Sequence, residues 1–264
     1  MIKIMGILNV TPDSFSDGGA FNSRDRALAQ AQKMTSEGAD IIDIGGESTR
    51  PGAADVSPDE ELERVIPVIE AIKTEFDYQV SVDTSKAVVM REALKAGADM
   101  INDVRALREP GALQACADSN VSVCLMHMQG EPRSMQHAPT YHDVIQEVSD
   151  FFQQRIDACT TAGIGRSRLI LDPGFGFGKT LEHNLELLAK LDKFKSFGLP
   201  LLTGISRKSM IGALLNNAPV EKRMIGSLSA AVIATMKGSD IIRVHDVKET
   251  AEALTIVKRI QPYE

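Results

Sequence analysis

Eight short apolar runs, each followed by a longer amphipathic segment, are the feature of this sequence that most restricts its fold. The runs occupy residues 2–9, 40–45, 79–83, 100–103, 121–126, 168–172, 199–206 and 240–245. Their nearly continuous Ile, Val and Leu content predicts parallel strands that are covered on both faces. Strict alternation of eight strands with helices favours a closed, single (β/α)8 TIM barrel of the α/β class over a doubly wound sheet. The length of 264 residues agrees with one barrel domain spanning residues 1–264.

The segments between the strands have the periodicity of helices. Predicted helices cover residues 25–37, 58–75, 86–96, 142–162, 181–195, 220–236 and 248–259. The sequence Ser57-Pro58-Asp59-Glu60 is a helix start signal, since it supplies an N-cap hydroxyl, a proline at the first helical position and acid in the first turn. Glycines predicted as C-caps follow three helical stretches, at Gly38, Gly97 and Gly163.

Charge and cysteine usage limit the partners and the compartment. The net charge of −7 provides no overall basic field, so neither nucleic acid nor an anionic membrane is expected as a partner. The three cysteines are scattered and form no C-x-x-C pair, which argues against a disulfide framework and indicates a reducing compartment. The first apolar stretch is too short and too poorly flanked for a signal peptide. A cytoplasmic protein is therefore expected.

Polar side chains stand where the predicted strands end. In a (β/α)8 barrel, catalytic groups come from the carboxyl ends of several strands. Any one such residue could instead cap the next helix or bind loop backbone, and this is the role expected of Asp103 and Asp246. Their coincidence at all eight strand ends predicts a functional site. The strand-end residues are Asn9, Asp43, Glu47, Asp83, Asn102, Asp103, His127, Asp172, Ser206, Arg207, Lys208, Arg243 and His245.

One subset of these residues is suited to a heterocycle. Asp83, Asn102 and Asp172 supply carboxylate and amide acceptors for the donor edge of an amino-pyrimidine ring, because a carboxylate can accept two parallel N–H bonds. Lys208 could donate to the carbonyl or ring-nitrogen acceptors of the same ring.

A second subset is suited to an anion. Arg50, Arg243 and His245 concentrate positive charge in an otherwise acidic protein, as capture of phosphate or pyrophosphate requires. The order Arg243-Val244-His245 places both polar side chains on one face of a strand. The alternative for Arg243 is an ion pair with an acid inside the barrel.

Two other motifs are weaker. Gly178-Lys179-Thr180 resembles the end of a phosphate-binding P-loop, but the first glycine of that pattern would fall at Pro173, so the match fails. A flexible loop is the better interpretation of residues 174–178, with Phe177 available to line an apolar pocket. The histidines have no metal-binding spacing, so a dedicated zinc site is not expected.

Seven segments closely resemble the signatures of the dihydropteroate synthases. The longest are IMGILNVTPDSFSDGG at residues 4–19 and DIGGESTRPG at residues 43–52. The others are SVDT at 81–84, IND at 101–103, DPGFGFGK at 172–179, GISRKS at 204–209 and RVHD at 243–246. They span essentially the whole chain in order, and they imply a pterin-binding TIM barrel.

The resemblance implies a transferase of folate biosynthesis that joins 6-hydroxymethyl-dihydropterin pyrophosphate to p-aminobenzoate by SN1-like substitution. It implies Mg²⁺ as cofactor, sulfonamides as competitors of p-aminobenzoate, and a homodimer. The catalytic residues would be Asp83, Lys208, Arg243 and His245. Pterin would bind to Asp83, Asn102, Asp172 and Lys208; pyrophosphate to Asn9, Arg50, Arg243 and His245; p-aminobenzoate to Thr49, Pro51, Phe177, Ser206 and Lys208; and the metal to Asn9.

Two other functions remain to be distinguished. A pterin-binding methyltransferase barrel would share the acidic pterin site, but it would have no use for the long loop after the first strand or for the pyrophosphate-facing cations. A non-catalytic pterin-binding module is the other alternative. The loops at residues 11–23 and 47–57 are rich in turn-forming residues and poor in apolar ones, so we expect them to be mobile and to close over the substrates.

Overall fold

Eight parallel strands form the centre of the protein, whose computed structural model describes residues 2–11, 20–47, 55–130, 135 and 139–260. Their order in the sheet is β6-β5-β4-β3-β2-β1-β8-β7, and a parallel bridge between Leu171 and Leu201 joins the two ends. The predicted (β/α)8 barrel is therefore confirmed. The strands are β1 Lys3–Asn9, β2 Ile41–Gly45, β3 Gln79–Asp83, β4 Met100–Asp103, β5 Ser122–Met126, β6 Leu169–Asp172, β7 Leu202–Thr203 and β8 Ile241–Val244.

Helices cover the outside of the barrel. The α-helices are α1 Ala20–Ser36, α2 Pro58–Glu75, α3 Ala87–Lys95, α4 Ala112–Ala117, α5 Val144–Thr161, α6 Leu181–Ala189, α7 Ser209–Leu214, α8 Met224–Met236 and α9 Val247–Ile260. Outward strand residues such as Ile42 and Val82 belong to the same buried cluster as the helix residues Ile69 and Val89. Burying each such side chain stabilises the fold by about 1.5 to 3 kcal/mol. None of the described helices is long and apolar enough to cross a membrane.

The interior of the barrel has an apolar layer and, above it, a polar one. The apolar layer is a separate buried cluster of Met5, Ile41, Met100, Cys124, Ile170, Leu202 and Ile241. Because side chains alternate along a strand, the residue two positions later points into the same interior, one level nearer the carboxyl end. On four strands that residue is polar, namely Asp43, Asn102, Asp172 and Arg243. The barrel is thus closed below by apolar packing and polar where the strands end.

The helix caps predicted from the sequence are present. Ser57 and Glu60 form a reciprocal capping box at the start of α2, in which the Ser57 hydroxyl accepts from the Glu60 N–H and the Glu60 carboxylate accepts from the Ser57 N–H. Gly38, Gly97 and Gly163 follow helices with φ of 107°, 100° and 92°, a region that favours glycine.

Several predicted boundaries are wrong. Helix α6 ends at Ala189, and residues 191–197 form a tighter 3-10 helix, because the backbone leaves α-helical geometry at Lys190 (φ −110°, ψ 21°). The predicted helix at 220–236 is likewise a 3-10 turn, Val220–Lys222, followed by α8. The short helices α4 and α7 were not predicted, because six residues are too few to establish a helical period.

The seventh strand is the largest departure from the sequence prediction. It contains only Leu202–Thr203, whereas residues 199–206 were predicted. Pro200 has no N–H to donate to a neighbouring strand, although its carbonyl accepts from the Leu171 N–H at 2.9 Å. Its neighbour Leu201 contributes the isolated bridge to β6. This side of the barrel is therefore closed by few hydrogen bonds.

Candidate active site

Arg243 lies at the centre of the polar layer. Its Nε donates to Asp43 Oδ2 at 2.6 Å and its Nη2 donates to Asp83 Oδ2 at 2.8 Å. Asn102 Nδ2 donates to the same Asp43 oxygen at 3.2 Å. The ion pair inside the barrel that was the alternative for Arg243 is thus present. Four strands, β2, β3, β4 and β8, contribute side chains to this network.

The network shifts the pKa values of Asp83 and Arg243. Burial raises the pKa of Asp83 to about 7, although the positive charge of Arg243 acts in the opposite direction. Burial by itself lowers the pKa of Arg243, but the Asp43 and Asp83 carboxylates raise it by a larger amount. The net effect is a pKa above the usual value. Arg243 is therefore charged, and Asp83 can change protonation near neutral pH.

Asp172 and Lys208 are buried groups of opposite charge that influence each other electrostatically. Asp172 accepts a hydrogen bond from the Gly174 N–H at 2.8 Å. Burial raises the pKa of Asp172, and the Lys208 charge partly offsets this. Burial lowers the pKa of Lys208 to about 8, against the effect of Asp172. The Lys208 ammonium donates to the Phe175 carbonyl and lies 4.6 Å from the centroid of the Phe177 ring.

The loops after β7 and β8 are joined by two contacts. Ser206 Oγ lies 3.0 Å from His245 Nδ1 and accepts from the His245 N–H at 3.2 Å. Arg207, in the left-handed region with φ of 58°, forms a bidentate ion pair with Asp246. Asp246 thus fixes a loop, as expected. The contact with Ser206 orients the His245 ring at the mouth of the barrel.

Asn9 ends β1 beside Gly45. A Cβ on Gly45 would lie 3.6 Å from Asn9 Oδ1 and 3.7 Å from the Asp83 Cβ, so both side chains border the space above this glycine. Thr49, Arg50 and Pro51 lie outside the described residues. Their loop follows Glu47, whose carboxylate accepts from Lys86 Nζ at 2.6 Å and from the Val56 N–H at 3.3 Å.

Three functional candidates were missed or assigned no role from the sequence. Asp43 was recognised only as a strand-end residue, yet it binds both Arg243 and Asn102. His127 and Lys179 are buried against each other, with Lys179 Nζ 3.0 Å from His127 Nδ1. The available signal for Lys179 was its place after the glycine-rich run, which was interpreted as part of a failed P-loop.

Asp103 accepts from the N–H groups of Arg105 and Leu107, which is the loop role expected of it.

The segment at residues 174–178 differs from the flexible loop that was predicted. Phe175 is fully buried, the Gly176 N–H donates to Asn184 Oδ1 at 2.7 Å and the Phe177 N–H donates to the Gly174 carbonyl at 3.1 Å. The Phe177 ring packs on a small apolar cluster of Val104, Met126, Met128 and Met135. An apolar wall beside Lys208 results.

A closed barrel with acceptors, cations and an apolar wall at the carboxyl ends of its strands defines an enzyme of the (β/α)8-barrel class that binds a polar heterocycle. The family model of the pterin binding enzymes matches residues 5–245. The dihydropteroate synthase of Escherichia coli (strain K12) is 61% identical over 255 residues, which cover 97% of this chain and 90% of that protein.

Solved structures agree with the sequence comparison. The Yersinia pestis dihydropteroate synthase with a sulfonamide drug complex has a TM-score of 0.94 and 59% identity, covering 99% of this chain and 94% of the other. The Xanthomonas albilineans dihydropteroate synthase in complex with 7,8-dihydropteroate has a TM-score of 0.90 and 48% identity, covering 98% of this chain and 94% of the other. The chain belongs to the dihydropteroate synthase family, a family of pterin-binding transferases in folate synthesis.

Proposed function

We propose that this protein condenses 6-hydroxymethyl-dihydropterin pyrophosphate with p-aminobenzoate, giving dihydropteroate and pyrophosphate. The observation that carries the proposal is the polar layer inside the barrel, where Asp83, Asn102 and Asp172 stand on neighbouring or nearby strands with Arg243 between two carboxylates. The dihydropteroate synthases that match nearly the whole chain support the same reaction.

Pterin recognition is assigned to Asp83, Asn102, Asp172 and Lys208. The ring presents amino and N–H donors on one edge, and a carboxylate can accept two parallel N–H bonds from such an edge. Lys208 supplies the complementary donor, because its ammonium is held by the Phe175 carbonyl and over the Phe177 ring. Burial of the acceptors makes specificity strong, since a ring without the matching donors would leave buried polar groups unpaired.

Pyrophosphate recognition is assigned to Asn9, Arg50, Arg243 and His245. A guanidinium has five N–H donors. Arg243 uses one each from Nε and Nη2 for Asp43 and Asp83, so its remaining donors can bind an anion without release of the carboxylates. Ser206 orients the His245 ring. Arg50 lies outside the described residues.

Mg²⁺ is assigned to Asn9 together with the substrate. The ion prefers oxygen ligands, keeps several waters and commonly uses one or two protein groups plus phosphate oxygens. The side-chain amide oxygen of Asn9 at the end of β1 fits this requirement. Among the described residues, no group of three or more His, Cys, Asp and Glu side chains could hold a metal independently. When bound, the ion would neutralise negative charge on the departing pyrophosphate.

The p-aminobenzoate site is assigned to Thr49, Pro51, Phe177, Ser206 and Lys208, and sulfonamides would compete for it. Phe177 and Lys208 are in contact, and together they offer an apolar face and a cation to a benzoate. Thr49 and Pro51 lie outside the described residues.

The substitution is dissociative in character. An aniline nitrogen is a weak base and a poor nucleophile, so cleavage of the methylene C–O bond precedes formation of the C–N bond. The bonding electrons leave with pyrophosphate, which Arg243 and His245 stabilise. The Asp83 and Asp172 carboxylates stabilise the pterin cation. The aniline nitrogen then attacks the methylene carbon and its proton passes to water.

The proposal is tested by measuring pyrophosphate release with and without p-aminobenzoate and Mg²⁺. Release that requires both, with dihydropteroate as the second product, is expected. A methyltransferase barrel would release no pyrophosphate under any of these conditions. A non-catalytic module would bind the pterin and leave its ester intact.

A homodimer in the cytoplasm is proposed. Helix α8 supports an interface between two copies, because Ile225, Ile233 and Met236 lie at helical spacing on one face and are 67%, 44% and 61% exposed.

A further inference from the structure

The Lys179 side chain ends in a buried cradle of acceptors. It is only 3% exposed. Its Nζ lies 3.0 Å from each of three acceptors, which are His127 Nδ1, the Gly174 carbonyl and the Phe177 carbonyl. The His127 carbonyl lies further away, at 3.4 Å. An ammonium group has three N–H donors, so the three nearest acceptors match its bonding capacity.

This cradle also fixes the state of His127. Burial lowers the pKa of Lys179 to about 7. In the ammonium form each of its hydrogens is directed to an acceptor, so that His127 Nδ1 accepts and the ring proton resides on Nε2. Burial, reinforced by the Lys179 charge, lowers the pKa of His127 to about 2. The neutral ring packs edge-on against Phe151, with 4.9 Å between centroids. His127 therefore accepts a hydrogen bond from Lys179 and packs its ring against Phe151.

The two loops that meet at Lys179 touch through glycine. We call residues 127–130 the β5 loop and residues 173–180 the β6 loop. A Cβ on Gly174 would lie 1.9 Å from the His127 carbonyl oxygen, and a Cβ on Gly178 would lie 2.3 Å from the Gln129 carbonyl oxygen. The Tyr141 hydroxyl donates to the Gly178 carbonyl at 2.8 Å. The loops form one packed unit in which Lys179 bridges both sides.

The β6 loop in turn holds Lys208. The Phe175 carbonyl accepts from the Lys208 ammonium, and the Phe177 ring lies beneath it at 4.6 Å. Lys179 binds the carbonyls of Gly174, which precedes Phe175, and of Phe177 itself. Lys179 thus binds the β6 loop at two carbonyls that neighbour the groups contacting Lys208.

We propose that Lys179 is a positioning residue for p-aminobenzoate, because its buried ammonium clasps the β5 and β6 loops together and thereby sets Phe177 and Lys208 at the distance that the benzoate requires. The inference rests on the proposed roles of Phe177 and Lys208. Lys179 does not bind phosphate itself, because its three donors are already used and its side chain is buried. Its resemblance to a P-loop lysine thus has a different physical basis.

The first test compares Lys179→Met with Lys73→Met. Lys73 is a matched control because its ammonium also donates to a backbone carbonyl, that of Tyr78, and to Asp99, but at the opposite end of the barrel. In Lys179→Met the KM for p-aminobenzoate is expected to rise about tenfold or more, because small displacements of binding groups are costly, with a smaller change in kcat. Lys73→Met is expected to keep the KM of the unmodified protein. A folded Lys179→Met with reduced stability but unchanged KM would overturn the inference.

The second test uses His127 and is independent of whether Lys179→Met folds. His127→Asn retains an acceptor near the position of Nδ1, whereas His127→Phe retains the aromatic ring and removes the acceptor. The KM for p-aminobenzoate is expected to stay near the unmodified value in His127→Asn and to rise in His127→Phe. Equal KM values in the two variants would contradict the clasp.

A third variant separates this inference from the proposed binding site. Phe177→Ala removes the ring that the clasp is inferred to position. If Phe177→Ala raises the KM for p-aminobenzoate and Lys179→Met does not, only the role of Lys179 is wrong. If Phe177→Ala also leaves the KM unchanged, the proposed p-aminobenzoate site is wrong.

Discussion

Asp83 is the residue at which protonation and folding are most directly linked. Burial raises its pKa to about 7, whereas an aspartate in an unfolded chain has a pKa of about 3.9. Between about pH 4 and 7 the folded protein therefore holds a proton that the unfolded chain has released. The stabilising effect is complete below this window and is lost as pH rises through it.

Replacing Asp83 with Asn is expected to remove this dependence. The unfolding free energy of the unmodified protein, measured by denaturant titration, should decline from about pH 4 to 7 more steeply than that of Asp83→Asn. The amide oxygen can still accept from Arg243, and Asp43 remains to balance the guanidinium charge. Parallel pH profiles of the two proteins would contradict a proton on Asp83 in the folded state.

Asp172 gives a prediction about ligand binding. Asp172→Ala removes an acceptor from a site that must satisfy buried donors of the pterin, and an unpaired buried donor costs about 1 to 3 kcal/mol. Titration calorimetry is expected to show pterin affinity reduced by at least about tenfold or below detection, while the circular dichroism spectrum is retained. Pterin affinity equal to that of the unmodified protein would place the ring elsewhere.

A buried charge cluster connects the loop after β2 to helices α2 and α3. Lys86, at the start of α3, forms ion pairs with Glu61 of α2 and with Glu47 after β2. The Glu61 side chain is fully buried, and its Oε1 has no hydrogen-bond partner among the described residues. Burial by itself lowers the pKa of Lys86, but the two carboxylates raise it above the usual value. Lys86 is thus the counter-ion of a buried carboxylate.

Lys86→Met is expected to lower the unfolding free energy by about 3 kcal/mol, because it leaves the Glu61 charge buried without a partner. Lys95→Met is a suitable control on the same helix, since Lys95 pairs with Glu92 at the surface and such pairs contribute about 0 to 1 kcal/mol. Denaturant titration of both variants measures the difference. Losses of similar size would show that Glu61 is not held by Lys86.

The elements also show what the sequence can and cannot predict. Strands such as β2 and β3 were predicted with nearly correct ends, because each is a short, largely buried run that is rich in Ile or Val. The end of α6 at Ala189 depends on backbone geometry that does not change the apolar pattern. At the site, strand-end position predicted that Asp83 and Arg243 belong to one functional region, but their ion pair was only the alternative to the anion-binding role of Arg243. The cradle of Lys179 was not predictable, because its acceptors are mostly backbone carbonyls, which have no sequence signature.

Binding of pyrophosphate and binding of p-aminobenzoate are expected to be coupled through the loop after β2. Arg50 stands beside Thr49 and Pro51 in the sequence, so a pyrophosphate that engages Arg50 would also bring the proposed p-aminobenzoate pocket together. We expect p-aminobenzoate to bind more tightly to protein saturated with pyrophosphate and Mg²⁺ than to the ligand-free protein. Equilibrium binding in the two states is the measurement. Equal affinity would mean that the pocket is already formed without the anion.

Contact between the β5 and β6 loops has a consequence for resistance to inhibitors. Every amino acid other than glycine carries a Cβ, and at Gly174 and Gly178 that atom would collide with the backbone of the β5 loop. Any substitution at either position must therefore shift the β5 loop or the β6 loop, and the β6 loop carries the groups that hold Lys208 in the proposed p-aminobenzoate site. For an inhibitor that binds the backbone of this loop, a single mutation at either glycine would therefore confer resistance only by distorting the loops as well.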